Sequence, residues 1–349
     1  MRPLPKALRR PLGRKVAPGS WRVPGDEVRP GRNEIVRTVM RIAAVVMGTA
    51  IAVGALTACE PTYAVKRTEV KLAIPCNGTT SVDADWAIPE GVTPTGFIWL
   101  QHGFARSNDN LVDLEKAYAA RGWIVVSPTI SGFGTCSINA GVTHAGIATL
   151  LAGSTGGGSA LEASYDAART KLGLPAANLP SSFGLSGHSA GAAAMTVVGG
   201  TIAANPSSAV SSRLKGVVLL DPVENSDNGM AANLPKLAGK KVFTISGPDS
   251  SCNANSSGTK VLLPKRSGFA GVRLPSGCHC DAEGETTDGT CTLVCGTPKA
   301  ANKSALKQLA TDWMSDMLAG KTTASAYPGG EYYEKTKTAG TITTLTGTA

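Results

Sequence analysis

The pentapeptide Gly187-His188-Ser189-Ala190-Gly191 constrains this chain more than any other segment. It is a G-x-S-x-G motif between a short strand pattern, Ser182 to Ser186, and an Ala-rich apolar run, Ala192 to Ile202, which Asn205-Pro206 closes. A buried strand that turns at once into a helix needs a sharp bend. Glycines on both sides of the bend let the helix lie close against the strand. Such a bend holds the Ser189 hydroxyl clear of the backbone at a helix N-terminus, where free N–H groups and the helix dipole favour negative charge.

The remaining sequence supplies the sheet this bend requires. Val65 to Ile74 alternates as an edge strand, whereas Gly96 to Leu100, Trp123 to Pro128, Gly216 to Asp221 and Lys241 to Gly247 are buried-type strands, with a last one near Phe269 to Leu274. Between them the spacing predicts a helix from an N-cap at Asn108 to Ala120, another over Ser159 to Leu172 and a final one over Ala305 to Leu318. Near-continuous apolar strands alternating with helices predict an α/β fold, a mostly parallel, doubly wound sheet with helices on both faces in a single domain. The Gly- and Ser-rich stretch Gly132 to Gly158 predicts either a loop over the active face or a plain surface excursion. Thr336 to Ala349 predicts a loose tail.

Residues 1–58 read as a leader and 59–349 as the folded domain. Ile42 to Leu56 is an apolar run of 15 residues, short of the ~20 that span a bilayer but typical of a signal-peptide core. Leu56-Thr57-Ala58-Cys59 resembles a bacterial lipobox, which implies cleavage before Cys59 and its lipidation. The expectation is an exported protein, lipid-anchored at Cys59 or secreted or periplasmic. The basic segment ahead of the core is long for a leader, and a start at Met40 gives a compact one. Residues 1–58 hold eleven Lys and Arg against three acids, so +8 of the chain's +9 belongs to the leader. The folded part, at about +1, makes no case for binding nucleic acid, and its membrane contact is expected only through Cys59.

Seven cysteines follow Cys59: Cys76, Cys136, Cys252, Cys278, Cys280, Cys291 and Cys295. An exported chain with so many forms disulfides, and the odd count leaves one free thiol if Cys59 carries lipid. The dense run Cys278 to Cys295 predicts a stapled loop.

A serine hydroxyl becomes a nucleophile when a His takes its proton and a carboxylate fixes the imidazole. On a sheet of this kind the order along the chain is Ser, acid, His. Ser189 is the candidate nucleophile. Asp221 follows an apolar strand and precedes Pro222, while Asp249 follows the next strand; both are candidate acids. Of the four His, His188 lies inside the bend, His102 in a turn, and His144 precedes Ser189, which leaves His279 as the base. His102-Gly103-Phe104 follows a strand, as an oxyanion loop does. The backbone N–H groups of Phe104 and Ala190 are the candidate donors to a carbonyl oxygen that becomes negative in acyl transfer.

From about Thr95 to about His279 the chain resembles the chlorophyllase-like branch of the α/β-hydrolases, neighbours of the bacterial cutinases and polyester hydrolases. The resemblance rests on Leu100-Gln101-His102-Gly103-Phe104, Gly187-His188-Ser189-Ala190-Gly191 and Leu219-Leu220-Asp221-Pro222-Val223. It implies an α/β-hydrolase fold, ester hydrolysis through an acyl-enzyme without a cofactor, and Asp221 rather than Asp249 as the acid. The Cys-rich loop around His279 departs from the plant enzymes. The partner expected is an ester: a small molecule, a lipid or a polyester. A peptidase or acyltransferase would use the same triad, and a non-catalytic surface-binding lipoprotein would need none of it. Cys278-His279-Cys280 with Cys291 and Cys295 also offers zinc-type ligands, against which disulfides compete. Asp281, Glu283, Glu285 and Asp288 read as a solvated acidic turn, with calcium as the alternative.

Overall fold

The computed structural model describes residues 62–154, 158–224, 227 and 229–349, so the expectations for the leader, Met40 and Cys59 fall outside the described residues. One nine-stranded sheet has the order β1-β2-β4-β3-β5-β6-β7-β8-β9. Its strands are β1 (Val65–Pro75), β2 (Thr79–Pro89), β3 (Gly96–Gln101), β4 (Ile124–Pro128), β5 (Ser182–His188), β6 (Leu214–Leu220), β7 (Lys241–Ser246), β8 (Ser267–Arg273) and β9 (Thr343–Thr348). Strands β4, β3, β5, β6, β7 and β8 run parallel. At the two ends, β1 pairs with β2, β2 with β4 and β9 with β8, all antiparallel. The helices are α1 (Val112–Ala120), α2 (Gly141–Gly153), α3 (Ala160–Lys171), α4 (Ala190–Ala203), α5 (Ala209–Arg213), α6 (Gly229–Asn233), α7 (Ser257–Leu262), α8 (Gly289–Cys295), α9 (Ala300–Ala319) and α10 (Glu331–Thr338). No described helix is long and apolar enough to cross a membrane.

The parallel strands are apolar throughout because both of their faces are covered. Successive side chains of β3 alternate between two cores. Phe97 and Trp99 face Ile147 of α2, Tyr165 of α3 and Val198 of α4. Ile98 and Leu100 face Tyr118 of α1 and Leu309 and Trp313 of α9. The chain is therefore an α/β protein built on a mixed, mostly parallel sheet.

Three expectations are corrected. The Gly- and Ser-rich stretch holds α2, which buries Ile147 and Leu151 against the sheet. The Cys76–Cys136 disulfide pins its approach. The segment has no amphipathic stripe because most of its surface is covered. The Thr-rich end is no loose tail: β9 pairs with β8 and buries Leu345, since β-branched Thr suits a pleated edge. The helix before β4 begins with a 3-10 turn, Asn108–Leu111, capped by Ser107 rather than Asn108.

Among the described residues three disulfides join Cys76–Cys136, Cys252–Cys295 and Cys280–Cys291, and Cys278 is free. Such bonds persist in an oxidising extracellular or periplasmic compartment.

Candidate active site

The bend at Ser189 joins the carboxyl end of β5 to the first turn of α4. Ser189 itself has φ 57° and ψ −123°, a conformation that costs roughly 1–3 kcal/mol for a residue with a side chain. The two motif glycines make it possible. A Cβ on Gly187 would collide with the Gly191 backbone, and a Cβ on Gly191 would run into the carbonyls of Gln101 and His102 at the end of β3. The Ser189 N–H donates to the Leu220 carbonyl at the end of β6 (3.0 Å), and its carbonyl accepts from Ala192 and Val223. The strained turn is thus held by the two strands flanking β5.

Asp221 follows β6 directly, also in a left-handed conformation, φ 40°. Its N–H donates to the Ile245 carbonyl on β7 (2.7 Å). The buried carboxylate accepts from the Gly247 N–H (2.9 Å), and the Asn253 amide donates to both of its oxygens (3.2 Å each). His279, in the 3-10 turn His279–Thr286 that follows β8, donates from Nδ1 to Asp221 Oδ2 at 2.6 Å. A carboxylate only accepts, so this bond fixes the tautomer and leaves Nε2 with a free lone pair. Nε2 lies 2.9 Å from Ser189 Oγ, as an acceptor for its proton. The three sequence candidates are within hydrogen-bonding distance in series, although 90 residues separate Ser189 from His279. The other candidate acid, Asp249, is exposed and paired to Lys260 (2.8 Å). Hydrogen bonds from Lys260 and Ser256 hold its carboxyl at about 2.

The remaining histidines have structural partners. His102 donates from Nδ1 to the Gly103 carbonyl (2.7 Å) and accepts the Ile130 N–H at Nε2 (2.9 Å), which fixes the turn beneath Phe104. Burial drops its pKa to about 4, so it is neutral. His188 donates from Nε2 to the His279 carbonyl (2.8 Å), and its ring lies 4.5 Å from the His279 ring. Burial, and next the neighbouring His279, keep its pKa well below the usual imidazole value. His144 donates to the Ile138 carbonyl behind α2.

The loop after β3 comes close to the bend. A Cβ on Gly103 would lie 3.0 Å from the Ser189 Cβ, so the chain just ahead of Phe104 passes beside Ser189, which Ala190 follows as the first residue of α4. A cleft of about 260 Å³ opens there, walled by Phe104, Arg106, Ser189, His279, Glu283 and Val294 together with cysteines of two disulfides. Phe104, Phe133, Leu293 and Val294 are the exposed large apolar side chains among the described residues. Two of them line the cleft, Phe133 packs edge-on to Phe104 at 4.9 Å, and Leu293 precedes Val294.

The acidic turn is corrected in half: Glu285 and Asp288 are exposed as expected, whereas Asp281 and Glu283 are buried. Glu283 is fully buried and takes a bidentate bond from Arg106 (2.7 Å twice). Buried Asp281 accepts the Cys278 N–H (2.8 Å), and desolvation pushes its carboxyl up to about 6. Glu285 pairs with Lys303, and Asp288 caps α8 and meets Arg106 at 3.0 Å. The two buried carboxylates are thus held by protein partners. The clustered sulfurs of Cys280, Cys291 and Cys295 are all disulfide-bonded, which removes the thiolates a zinc site needs. Sequence reasoning missed Asn253 and Arg106. Nothing in the local sequence marks Asn253, but its neighbour Cys252 is bound to Cys295, which holds that loop beside Asp221.

No protein-family model matches the chain, and no curated protein matches it.

Proposed function

We propose that this chain is an exported serine carboxylic-ester hydrolase of the α/β-hydrolase kind that its motifs resemble, working through an acyl-enzyme. The observation that carries this reading is the pair of hydrogen bonds in series, Ser189 Oγ to His279 Nε2 and His279 Nδ1 to Asp221 Oδ2. In the first step His279 Nε2 takes the Ser189 proton while Oγ attacks the ester carbonyl carbon. The carbonyl electron pair moves onto oxygen, where the N–H groups of Phe104 and Ala190 receive it, each worth ~3 kcal/mol in the barrier. Collapse expels the alcohol, which leaves with the proton from the imidazolium. Water then repeats the sequence on the acyl-Ser189 ester and releases the acid. Asp221 keeps its hydrogen bond from Nδ1 and stabilises the imidazolium.

The apolar walls around Phe104 and Val294 favour an apolar acyl group over a charged one. A peptidase or acyltransferase has no observation of its own in its favour. The lipobox adds export and lipidation at Cys59, which agrees with the disulfides. Hydrolysis of p-nitrophenyl butyrate tests the assignment. Ser189→Ala should lower kcat by roughly 10⁴- to 10⁶-fold and abolish labelling by a fluorophosphonate. Turnover retained in that variant would remove the mechanism.

A further inference from the structure

Ser189, Asp221 and His279 all lie beyond the carboxyl ends of their strands. The opposite edge carries a different chemistry. Lys215 stands at the amino end of β6, Lys240 and Lys241 at that of β7, and Lys265 and Arg266 directly before β8. Gly216 and Lys241 are register partners, so Lys215 and Lys241 are neighbours across the sheet edge. Lys240, Lys241, Lys265 and Arg266 line a cavity of about 580 Å³ to which no Asp or Glu contributes, and Ala349 closes one side by donating its N–H to the Arg266 carbonyl. None of the five cations forms an ion pair with another described residue. Lys215 and Lys240 bond instead to the Ser212 and Ser211 carbonyls, and Arg266 to those of Leu237 and Lys240. Burial first, and then the charge of Lys215, push the Lys240 ammonium pKa down, as expected of crowded cations without a counter-ion. The folded part as a whole is close to neutral, so this edge is a local concentration of charge.

A second observation places the chain's entry on the same edge. The Tyr63 N–H donates to the Ala120 carbonyl, and its ring packs over Gly122, just ahead of β4. β4 runs parallel to β3, and β3 to β5, so this is again the amino edge of the sheet. Cys59 is four residues upstream of Tyr63. An attachment there can lie at most about 14 Å from it, even with the connection fully extended.

We propose that this basic edge docks on the anionic headgroups of a phospholipid bilayer and turns the cleft at the opposite edge toward the aqueous side. Phosphate-bearing lipid supplies counter-charge to these five cations, none of which pairs with a described Asp or Glu, and the attraction acts within a Debye length of about 8 Å. A hydrocarbon anchor and a basic patch add as two membrane signals, but the charge acts whether or not Cys59 is lipidated. Neither the surface nor its test depends on the ester-hydrolase reading.

The unit Ala58–Ala349 holds every described element and both apolar layers, so it serves without the leader and with Cys59→Ser. Its sedimentation with vesicles containing phosphatidylglycerol is compared with that on pure phosphatidylcholine, at low and high salt. Binding should require the anionic lipid and weaken with salt. The variant Lys215→Gln/Lys241→Gln/Lys265→Gln should lower the partition coefficient by roughly 10²-fold, and the corresponding triple Arg variant should retain it. The urea midpoint should stay put in both variants, since the part-buried carbonyl bonds of Lys240 and Arg266 are untouched and the Lys215 bond to Ser212 is exposed. Equal partition onto neutral and anionic vesicles, or no loss in the Gln variant, would overturn the proposal. So would tighter binding to duplex DNA than to the vesicles at the same salt.

Discussion

Arg106 and Glu283 couple the loop that carries Phe104 to the turn that carries His279, and cutting that link has a calculable cost. The Glu283 carboxylate is fully buried, and both of its oxygens take an Arg106 N–H at 2.7 Å. Removing one partner of a buried pair costs about 3–5 kcal/mol, because the other charge is left unpaired. Glu283→Ala belongs at the low end, about 3 kcal/mol, since Arg106 keeps Asp288 at 3.0 Å. Arg106→Ala belongs near the top, since it takes the bidentate partner from a fully buried carboxylate. Its cost should depend on pH. Burial already raises the Glu283 pKa against the pull of Arg106, and loss of the guanidinium raises it further. A carboxyl whose folded pKa lies above its unfolded one destabilises the fold at high pH, and this is relieved as pH falls and the group protonates. The Arg106→Ala penalty should therefore shrink as pH falls and Glu283 takes up a proton. The double variant should cost about 2–3 kcal/mol less than the sum of the singles. Urea unfolding of the four proteins at several pH values measures this. Additivity within about 0.5 kcal/mol, or a penalty constant with pH, would refute the coupling. Under the proposed ester-hydrolase reading, kcat on the butyrate ester should fall in both singles while they remain folded.

Two further outcomes follow from buried contacts. Glu115, fully buried beside Arg67 and Asp85, has its carboxyl raised to about 8, chiefly by burial and next by Asp85. Between its unfolded value of 4.5 and about 8 the folded state holds the extra proton, so this group makes stability fall as pH rises. Glu115→Gln, which mimics the neutral form, should remove a slope on the order of 1 kcal/mol per pH unit; equal urea-midpoint slopes in wild type and variant would contradict this. Gly191→Ala should destabilise by about 3 kcal/mol because its Cβ would meet the Gln101 and His102 carbonyls at the end of β3; an unchanged urea midpoint would show that the bend can relax.

The parts of the fold that were legible in the sequence are those where one residue type has a single physical use. Continuous apolar runs marked β3, β4, β6 and β7 because a strand covered on both faces has no polar side to show. The glycines at 187 and 191 marked the bend because nothing larger fits there. His279 stood out by scarcity, and Asp221 by its place at the end of an apolar strand. Where a residue acts through a distant partner, that signal disappears. β2 begins Thr-Thr-Ser-Val-Asp, and this half is largely solvent-facing, so its apolar half, buried behind Trp86 and Ile88, did not read as part of a strand. Asn253 reaches Asp221 from a loop in which three consecutive residues, Ala254 to Ser256, take left-handed conformations and the adjacent Cys252 is tied to Cys295. Arg106 and Glu283 meet across 177 residues, and in sequence Glu283 is indistinguishable from its exposed neighbour Glu285. Burial separates them, because a carboxylate taken out of water must be given a cation. The choice between Asp221 and Asp249 has the same origin. Both follow apolar strands, but Asp221 sits on the strand next to Ser189, with Asn253 and Gly247 donating to it, whereas Asp249 lies one strand further out, in solvent, held by Lys260. The geometry that separates the two acids is sheet order, which local sequence pattern does not encode.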